Sequence, residues 1–479
     1  MGINGKAIGT DGGTHNVVGF DQAPTASIGR RKIRTNGAAA KPAVWTEDDL
    51  TIRLAETYPD LRYVDDWKRW MKYTIDGVWR KDNTRSIFDR AKGICRDASV
   101  GISPKHTATL KWLRSAKTRA AVENMAREMP GYAAVPEQWD ADLMVMNTPS
   151  GTCRLEDGSL HDHRMEDYLT KTTTVAPRAG AHALWDTFLD RVTASDAEMQ
   201  QYLQRMAGYC LSGDISEHVL FFLYGTGANG KTTFTNTLLG IWGDYGQTAA
   251  METFTENKND RHPTELAALR GARLVVASEV EVGKHWAETR LTDLTGGGKI
   301  RAHFMHCDDV EYVPAFKLML QGNHKPSLRS VNEAVRRRLH LVPFTVTIPP
   351  EQRDPELTEK LRTEWPAILQ WAIDGCLAWQ REGLNPPAAV RDATEEYLAA
   401  EDVFQTWLDD RCILSPQAGS TKSSLLYEDF RKWAERSGER CGTQRWFSQG
   451  LMERGFKIRR SMGKRVDGIT LARADEKGM

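Results

Sequence analysis

The sequence predicts an α/β fold built on a parallel sheet, with an α+β domain ahead of it and a helix, helix and hairpin unit behind. Three observations carry this expectation. His218 to Leu239, HVLFFLYGTGANGKTTFTNTLL, reads as a buried strand, a glycine turn and a helix in succession. Three further apolar runs follow: Leu274 to Ala277, the segment ending at Asn323, and LHLVPF. The chain then closes on two helical patterns and a basic hairpin between about 419 and 473.

The first of these stretches is the most informative. His218 to Tyr224 is a short apolar run ended by glycine, too short for a helix, so it reads as a strand buried on both faces. Gly225 to Thr232 matches G-x-x-x-x-G-K-T. Gly225, Gly227 and Gly230 let backbone N–H groups turn inward around an anion, and the helix starting near Lys231 aims its positive end at the same point. Gly225, Thr226, Gly227, Ala228, Asn229, Gly230, Lys231, Thr232 and Thr233 are therefore the expected ATP-binding stretch. Lys231 would reach the β/γ-phosphates and the Thr232 hydroxyl would ligate Mg²⁺. The bland alternative is a glycine turn before an ordinary helix. Strand before and helix after is the context that the phosphate-binding mechanism requires.

Composition excludes more than it selects. The 479 residues suggest about three domains. Lys+Arg and Asp+Glu both total 64, so any nucleic-acid site must come from local clustering. The seven cysteines are scattered with no C-x-x-C pair, which points to a reducing compartment and away from structural zinc. The opening residues show neither a signal-peptide pattern nor a membrane span, so a soluble, cytoplasmic protein with no membrane partner is expected.

Taken in order, residues 1–43 read as a flexible tail carrying Arg30, Arg31, Lys32 and Arg34. Residues 44–205 read as an α+β domain. Thr46 and Asp49 resemble a capping box for a helix to about Thr57, and Asp76-Gly77 between WMKYTI and VWRK is a hairpin signal. Trp67, Trp70 and Trp79 then read as core or sheet-face aromatics rather than base-stacking platforms. Helical patterns follow at about 84–97 and 106–128. His161-Asp162-His163 reads as a solvated turn, since no third metal ligand lies near it in sequence. Ser195 and Glu198 form a second capping box before a helix leading to the phosphate-loop strand. No carboxylate cluster here suggests a polymerase or primase site.

Residues 206–350 hold the phosphate-loop segment and the strands expected beside it. The strand Leu274 to Ala277 leads into Glu279 and Glu281, and a carboxylate at such a strand end suits Mg²⁺ organisation and water activation. The next apolar strand ends at Asn323, whose amide can orient water and sense a γ-phosphate. Between them, a hairpin with its tip near His306 to Asp309 carries Lys299, Arg301, His303 and His306. These donors either grip a nucleic-acid backbone or form an ordinary polar sheet face. Arg336, Arg337 and Arg338 precede LHLVPF. An arginine placed across a subunit boundary there is worth about 10³ to 10⁵ in rate; the alternative is a surface contact with a phosphate or carboxylate.

Helices dominate 351–412, with Pro386-Pro387 at a helix start. Residues 413–479 follow winged-helix order, and Arg454, Lys457, Arg459, Arg460, Lys464 and Arg465 concentrate charge where a wing would meet phosphates. A solvated basic hairpin is the competing reading.

Together, GTGANGKTTF, DRHPTELAALRGARLVVASEVE, LTGG, FKLMLQGNHKPSLRSVNEAVRRRLHLVPFTVTIPP and LYEDFRKWAERSG resemble the superfamily-3 helicase part of phage and plasmid primase-helicases, related to the poxvirus primase-helicase. The likeness spans about 50 to 475. It implies an AAA+-like ATPase core in a hexameric ring, with sites between subunits, moving 3′ to 5′ on single-stranded DNA of a phage, plasmid or mobile element. ATP and Mg²⁺ are the implied cofactors. Single-stranded and forked DNA, further copies of the chain and a separate primase are the implied partners, since the primase often fused ahead of this unit has no counterpart in the sequence. By position, Lys231 and Thr232 are the phosphate and metal residues, Glu279 the catalytic acid, Asn323 the sensor, and Arg337 or Arg338 the finger. The family run K-x-L-T-G-G-D and its following A-R pair are altered at Thr292, Gly298 and His303. Hydrolysis is therefore better supported than unwinding, and an ATP-switched origin-binding initiator or helicase loader is the alternative.

Overall fold

The computed structural model describes residues 44–256, 264–278, 284–303, 309–328, 331, 333–415, 419–439, 441–460 and 464–472. Contacts divide the chain into Met1–Thr46 and a main unit, Glu47–Met479. The tail expected over residues 1–43 lies outside the described residues.

The main unit opens with a helix, Glu47–Thr57, and an antiparallel run of strands, Leu61–Val64, Arg69–Tyr73 and Trp79–Lys81. The expected hairpin forms at Asp76-Gly77, where Gly77 takes φ 73, a backbone angle that glycine adopts without strain. Trp70 and Trp79 are core residues, as their placement in sequence suggested. Trp70 donates its indole N–H to buried Glu123 at 2.7 Å, and Trp79 donates to the Met165 carbonyl at 3.0 Å. The helical pattern at 106–128 is two helices, Thr107–Leu113 and Ala116–Ala126. Ser115 breaks it because its hydroxyl caps the second helix, accepting from Thr118 N at 3.0 Å. The second capping box is also shifted. Asp196, not Ser195, is the N-cap of the helix Ala197–Tyr209, accepting from Met199 N at 3.1 Å. His161 and His163 bond to Ser159 and to the Thr148 carbonyl, and no group of three metal-ligating side chains occurs among the described residues.

The central sheet has five strands: β1 (Leu220–Tyr224), β2 (Gly246–Ala250), β3 (Leu274–Ser278), β4 (Lys317–Gly322) and β5 (Leu339–Pro343). Their order is β5-β1-β4-β3-β2, and every pairing is parallel. The strands read as unbroken apolar runs because both faces are covered. Phe221 and Leu223 face a core with Phe234 and Leu238 of the helix Lys231–Trp242, while Leu220 and Phe222 face a second core with Trp286 and Tyr397. The register aligns Tyr224 with Gly322 and Pro343, so these strands end together at one edge.

The first core runs through position 205. It takes in Met146, Trp185, Tyr202, Phe234, Ile368 and Trp371, so the segment before the sheet and the helix Trp365–Glu382 after it share one interior. Two glycines let the helices Ala197–Tyr209 and Trp365–Glu382 meet backbone to backbone. A Cβ on Gly208 would fall on Cys376 N, and one on Gly375 would fall on the Gln204 carbonyl. Gly208→Ala is expected to lower stability by roughly 1–3 kcal/mol through overpacking, read by chemical denaturation.

Two buried cations anchor the far end of the sheet. Arg273 donates to the Leu211 and Val145 carbonyls at 2.8 and 2.6 Å. Lys317 donates to the Ser212 carbonyl and to the Asp214 carbonyl, the latter at 3.1 Å. Burial pushes the Lys317 ammonium down to about 7. Between that value and the ordinary lysine range the unfolded chain binds the extra proton, so the stability cost of this lysine is present below pH 7 and is relieved as pH rises. Thermal melts of the wild type and Lys317→Met should therefore show the wild type gaining on the variant between pH 7 and about 10.

After Ala388–Glu401 and Val403–Arg411, the chain closes with the helices Ser423–Ser437 and Gln444–Glu453. A three-stranded antiparallel sheet joins Ser420–Lys422, Lys464–Asp467 and Ile458–Arg460 beside them. Phe404, Trp407, Phe430 and Phe447 form a separate core for this region.

Candidate active site

The glycine turn between β1 and the helix Lys231–Trp242 has the backbone its sequence requires. Gly225, Gly227 and Gly230 take φ 159, 102 and 87, and Ala228 takes φ 49. Crowding fixes two of the glycines. A Cβ on Gly225 would fall on the Phe344 carbonyl and the Asn229 amide; one on Gly230 would lie 2.6 Å from Val192 and 2.9 Å from Phe188. The turn is thus seated on the helix Ala183–Val192 and on the chain leaving β5, where Ile348 N also donates to the Ala228 carbonyl at 2.9 Å.

Lys231 lies at the centre. It is 6% exposed, and its ammonium donates to the Gly225 carbonyl at 2.8 Å, Asn229 Oδ1 at 3.0 Å and Asn323 Oδ1 at 3.3 Å. Burial pulls its pKa below the ordinary lysine value. The strand order brings Asn323 here: β4 lies directly beside β1, so residues far apart in sequence meet at the sheet edge. Asn229, 3% exposed, is oriented by accepting from Lys231 while donating to the Phe344 carbonyl at 2.6 Å. Sequence reasoning placed Asn229 among the loop residues but missed its two hydrogen bonds, one from Lys231 and one to the Phe344 carbonyl.

Thr232 is exposed at the first turn of the helix, beside the loop N–H groups. Behind it, Thr235 donates to Gln321 Oε1 at 3.4 Å and Gln321 donates to Ser278 Oγ at 2.7 Å, tying the helix to β4 and β3. Glu279 and Glu281 lie outside the described residues, immediately after the end of β3 at Ser278.

The arginines at the start of β5 separate cleanly. Arg338 is buried, donating to Thr295 Oγ1 at 3.1 Å and to the Ala334 carbonyl at 2.9 Å. Burial and neighbouring Arg337 lower its pKa. Arg336 and Arg337 are exposed. The expectation that either Arg337 or Arg338 reaches outward therefore narrows to Arg337, because Arg338 is spent inside its own chain.

The expected DNA contacts also divide. Lys299 and Arg301 are exposed while Ile300 and Ala302 are buried, the alternation of a strand with one open face. His303 ends that strand, opposite Asp309, and His306 lies outside the described residues. In the closing hairpin Arg459 pairs with Asp467 at 2.5 Å, and Arg465 donates to Ser420 Oγ at 2.8 Å. Lys464 is exposed and sits across from Arg460. Arg459 and Arg465 thus already serve local structure.

The chain is similar to several known proteins. Residues 51–194 match a D5 N-terminal-like domain, and residues 223–338 match a family of unknown function (DUF5906). A putative helicase (L207/L206) of Acanthamoeba polyphaga mimivirus is 27% identical over 264 residues, 50% of this chain and 27% of that protein. Residues 51–194 thus resemble a D5 N-terminal-like domain. The chain is also 26% identical over 262 residues to putative helicase 022R of Frog virus 3 (isolate Goorha), covering 50% of the chain and 26% of that protein. It spans about a quarter of the length of these curated relatives. Among solved structures, the apo C-terminal region of NrS-1 aligns over 90% of this chain and 100% of its own, at 10% identity and a TM-score of 0.47. No described helix is long and apolar enough to cross a membrane.

Proposed function

We propose that the chain is an ATP-dependent DNA helicase acting in replication, with a central sheet of AAA+ type and a closing domain of winged-helix type. The observation that carries this reading is the position of Lys231, enclosed between the glycine turn and Asn323 at the end of a neighbouring parallel strand. A cation at that point, with loop N–H groups and a helix start around it, favours a polyphosphate. The residues present fit Mg²⁺-ATP: Thr232 offers an exposed hydroxyl to the metal, and Lys231 offers three N–H donors to phosphate oxygens. Bound Mg²⁺ would supply charge neutralisation between the β- and γ-phosphates. Asn323 would orient the attacking water together with Glu279 and Glu281, and Arg337 would reach a neighbour's site. Lys299, Arg301, His303 and His306 on the central hairpin, with Arg460 and Lys464 on the closing one, are the proposed DNA contacts. The working form is a hexameric ring moving 3′ to 5′ on single-stranded or forked DNA, served by a separate primase in the cytoplasm of a host cell.

A second reading, an ATP-switched initiator or loader, is motivated by the altered hairpin approach. A Cβ on Gly298 would meet nothing within 4 Å, so space does not dictate glycine there, and the acidic residue of the family run is absent for another reason. ATP turnover with and without single-stranded DNA, alongside unwinding of a 3′-tailed fork, separates the two. DNA-stimulated turnover with unwinding is expected; turnover without unwinding supports the initiator.

A further inference from the structure

The turn after β4, residues 323–328, is fastened on three sides, and one fastening is unusual. Ser327 pairs through its backbone with Lys284 and Trp286, its N–H and carbonyl bonds measuring 2.9 and 3.0 Å. Tyr397 of the helix Ala388–Glu401 donates its hydroxyl to the Pro326 carbonyl, and Leu328 N donates to Glu401 Oε2 at 2.7 Å. The third fastening is Lys325. Among the described residues its ammonium meets rings rather than a carboxylate: it lies 4.1 Å from the Tyr224 ring centroid and 5.6 Å from that of Tyr397. Burial pulls its pKa down, and Glu396 opposes that only as a nearby charge. A half-buried lysine on two aromatic faces holds its position through the ring quadrupoles.

Both ends of that contact matter to the site. Tyr224 is the last residue of β1, directly before Gly225, and Lys325 stands two residues after Asn323, whose amide oxygen receives Lys231. We propose that Lys325 is a positioning residue for nucleotide hydrolysis, pinning the turn against Tyr224 and Tyr397 so that Asn323 meets the phosphate site at a fixed angle. The inference rests on the hydrolysis reading above and adds to it a residue outside the phosphate loop. Lys325 acts through Asn323, so it governs turnover more than nucleotide affinity.

The test uses the full chain and six variants. In Lys325→Met, kcat for ATP is expected to fall about 5- to 10-fold with KM within about two-fold, the size of one half-buried cation–π contact. Lys325→Arg should recover most of the rate, Tyr224→Leu should reproduce the loss, and Tyr224→Phe should spare it because the ring face remains. Lys325→Met combined with Asn323→Ala should be no slower than Asn323→Ala alone, because the two act as one unit. Amide hydrogen exchange supplies an arm independent of turnover: residues 323–328 should lose protection in Lys325→Met while 231–242 keep theirs. Wild-type kcat in Lys325→Met, penalties that multiply in the double variant, or unchanged exchange at 323–328 would each overturn the proposal. A wild type without hydrolysis would instead remove the functional reading, and the exchange arm would still decide the pinning.

Discussion

Lys231→Ala is expected to abolish ATP hydrolysis, with kcat/KM falling by at least about 10²- to 10³-fold, the cost of removing one preorganised charge donor at a developing anion. The side chain is nearly enclosed and its ammonium already faces three oxygens, so no neighbouring lysine or arginine can replace it without rebuilding the turn. The fold should survive. The turn is held by Ile348 N to the Ala228 carbonyl and by Asn229 to the Phe344 carbonyl, neither of which uses Lys231. Circular dichroism and melting close to wild type, beside lost turnover, is the expected pair of results. Retained turnover in a folded variant would remove the site assignment.

Two adjacent arginines should behave in opposite ways. On the reading proposed above, in which exposed Arg337 acts on the transition state of a neighbouring site, Arg337→Ala should lower hydrolysis by about 10³-fold or more while nucleotide still binds. Mixed with Lys231→Ala, it should recover part of the activity: some interfaces then pair an intact phosphate loop with an intact finger. Arg338→Ala should instead cost stability, roughly 1–3 kcal/mol, by leaving Thr295 and the Ala334 carbonyl without their buried donor. Denaturation curves and mixed-ring turnover measured on the same preparations separate the roles. A stable, inactive Arg338→Ala rescued by mixing would reverse the assignment.

The glycine turn with its flanking strand and helix was legible in sequence because its backbone path is local. Glycines at fixed offsets, a strand before and a helix after state the backbone path in consecutive residues. β1, β3, β4 and β5 were legible because strands covered on both faces must be apolar throughout. β2, GQTAA, was not: it is an edge strand carrying little apolar surface, held mainly by main-chain pairing with β3. The break at Ser115 and the cap at Asp196 also escaped. Each depends on which of several adjacent polar side chains captures a free N–H, and the chain chooses only when the helix is packed.

The sequence by itself determined the glycine turn with the strand before it and the helix after it, and the apolar strands of the central sheet, because backbone preference and burial pattern are written along the chain. Only the tertiary structure decided which distant residues share a site. The β1–β4 pairing carries Asn323 to Lys231, and the covering helix brings Tyr397 to Lys325. It also showed that in the turn between the helix Glu333–Arg336 and β5, Arg338 packs inward on Thr295 and the Ala334 carbonyl while Arg337 stays exposed. Local sequence sets what a residue can do; the low-dielectric interior, built by contacts across the chain, sets which groups are close enough to do it together.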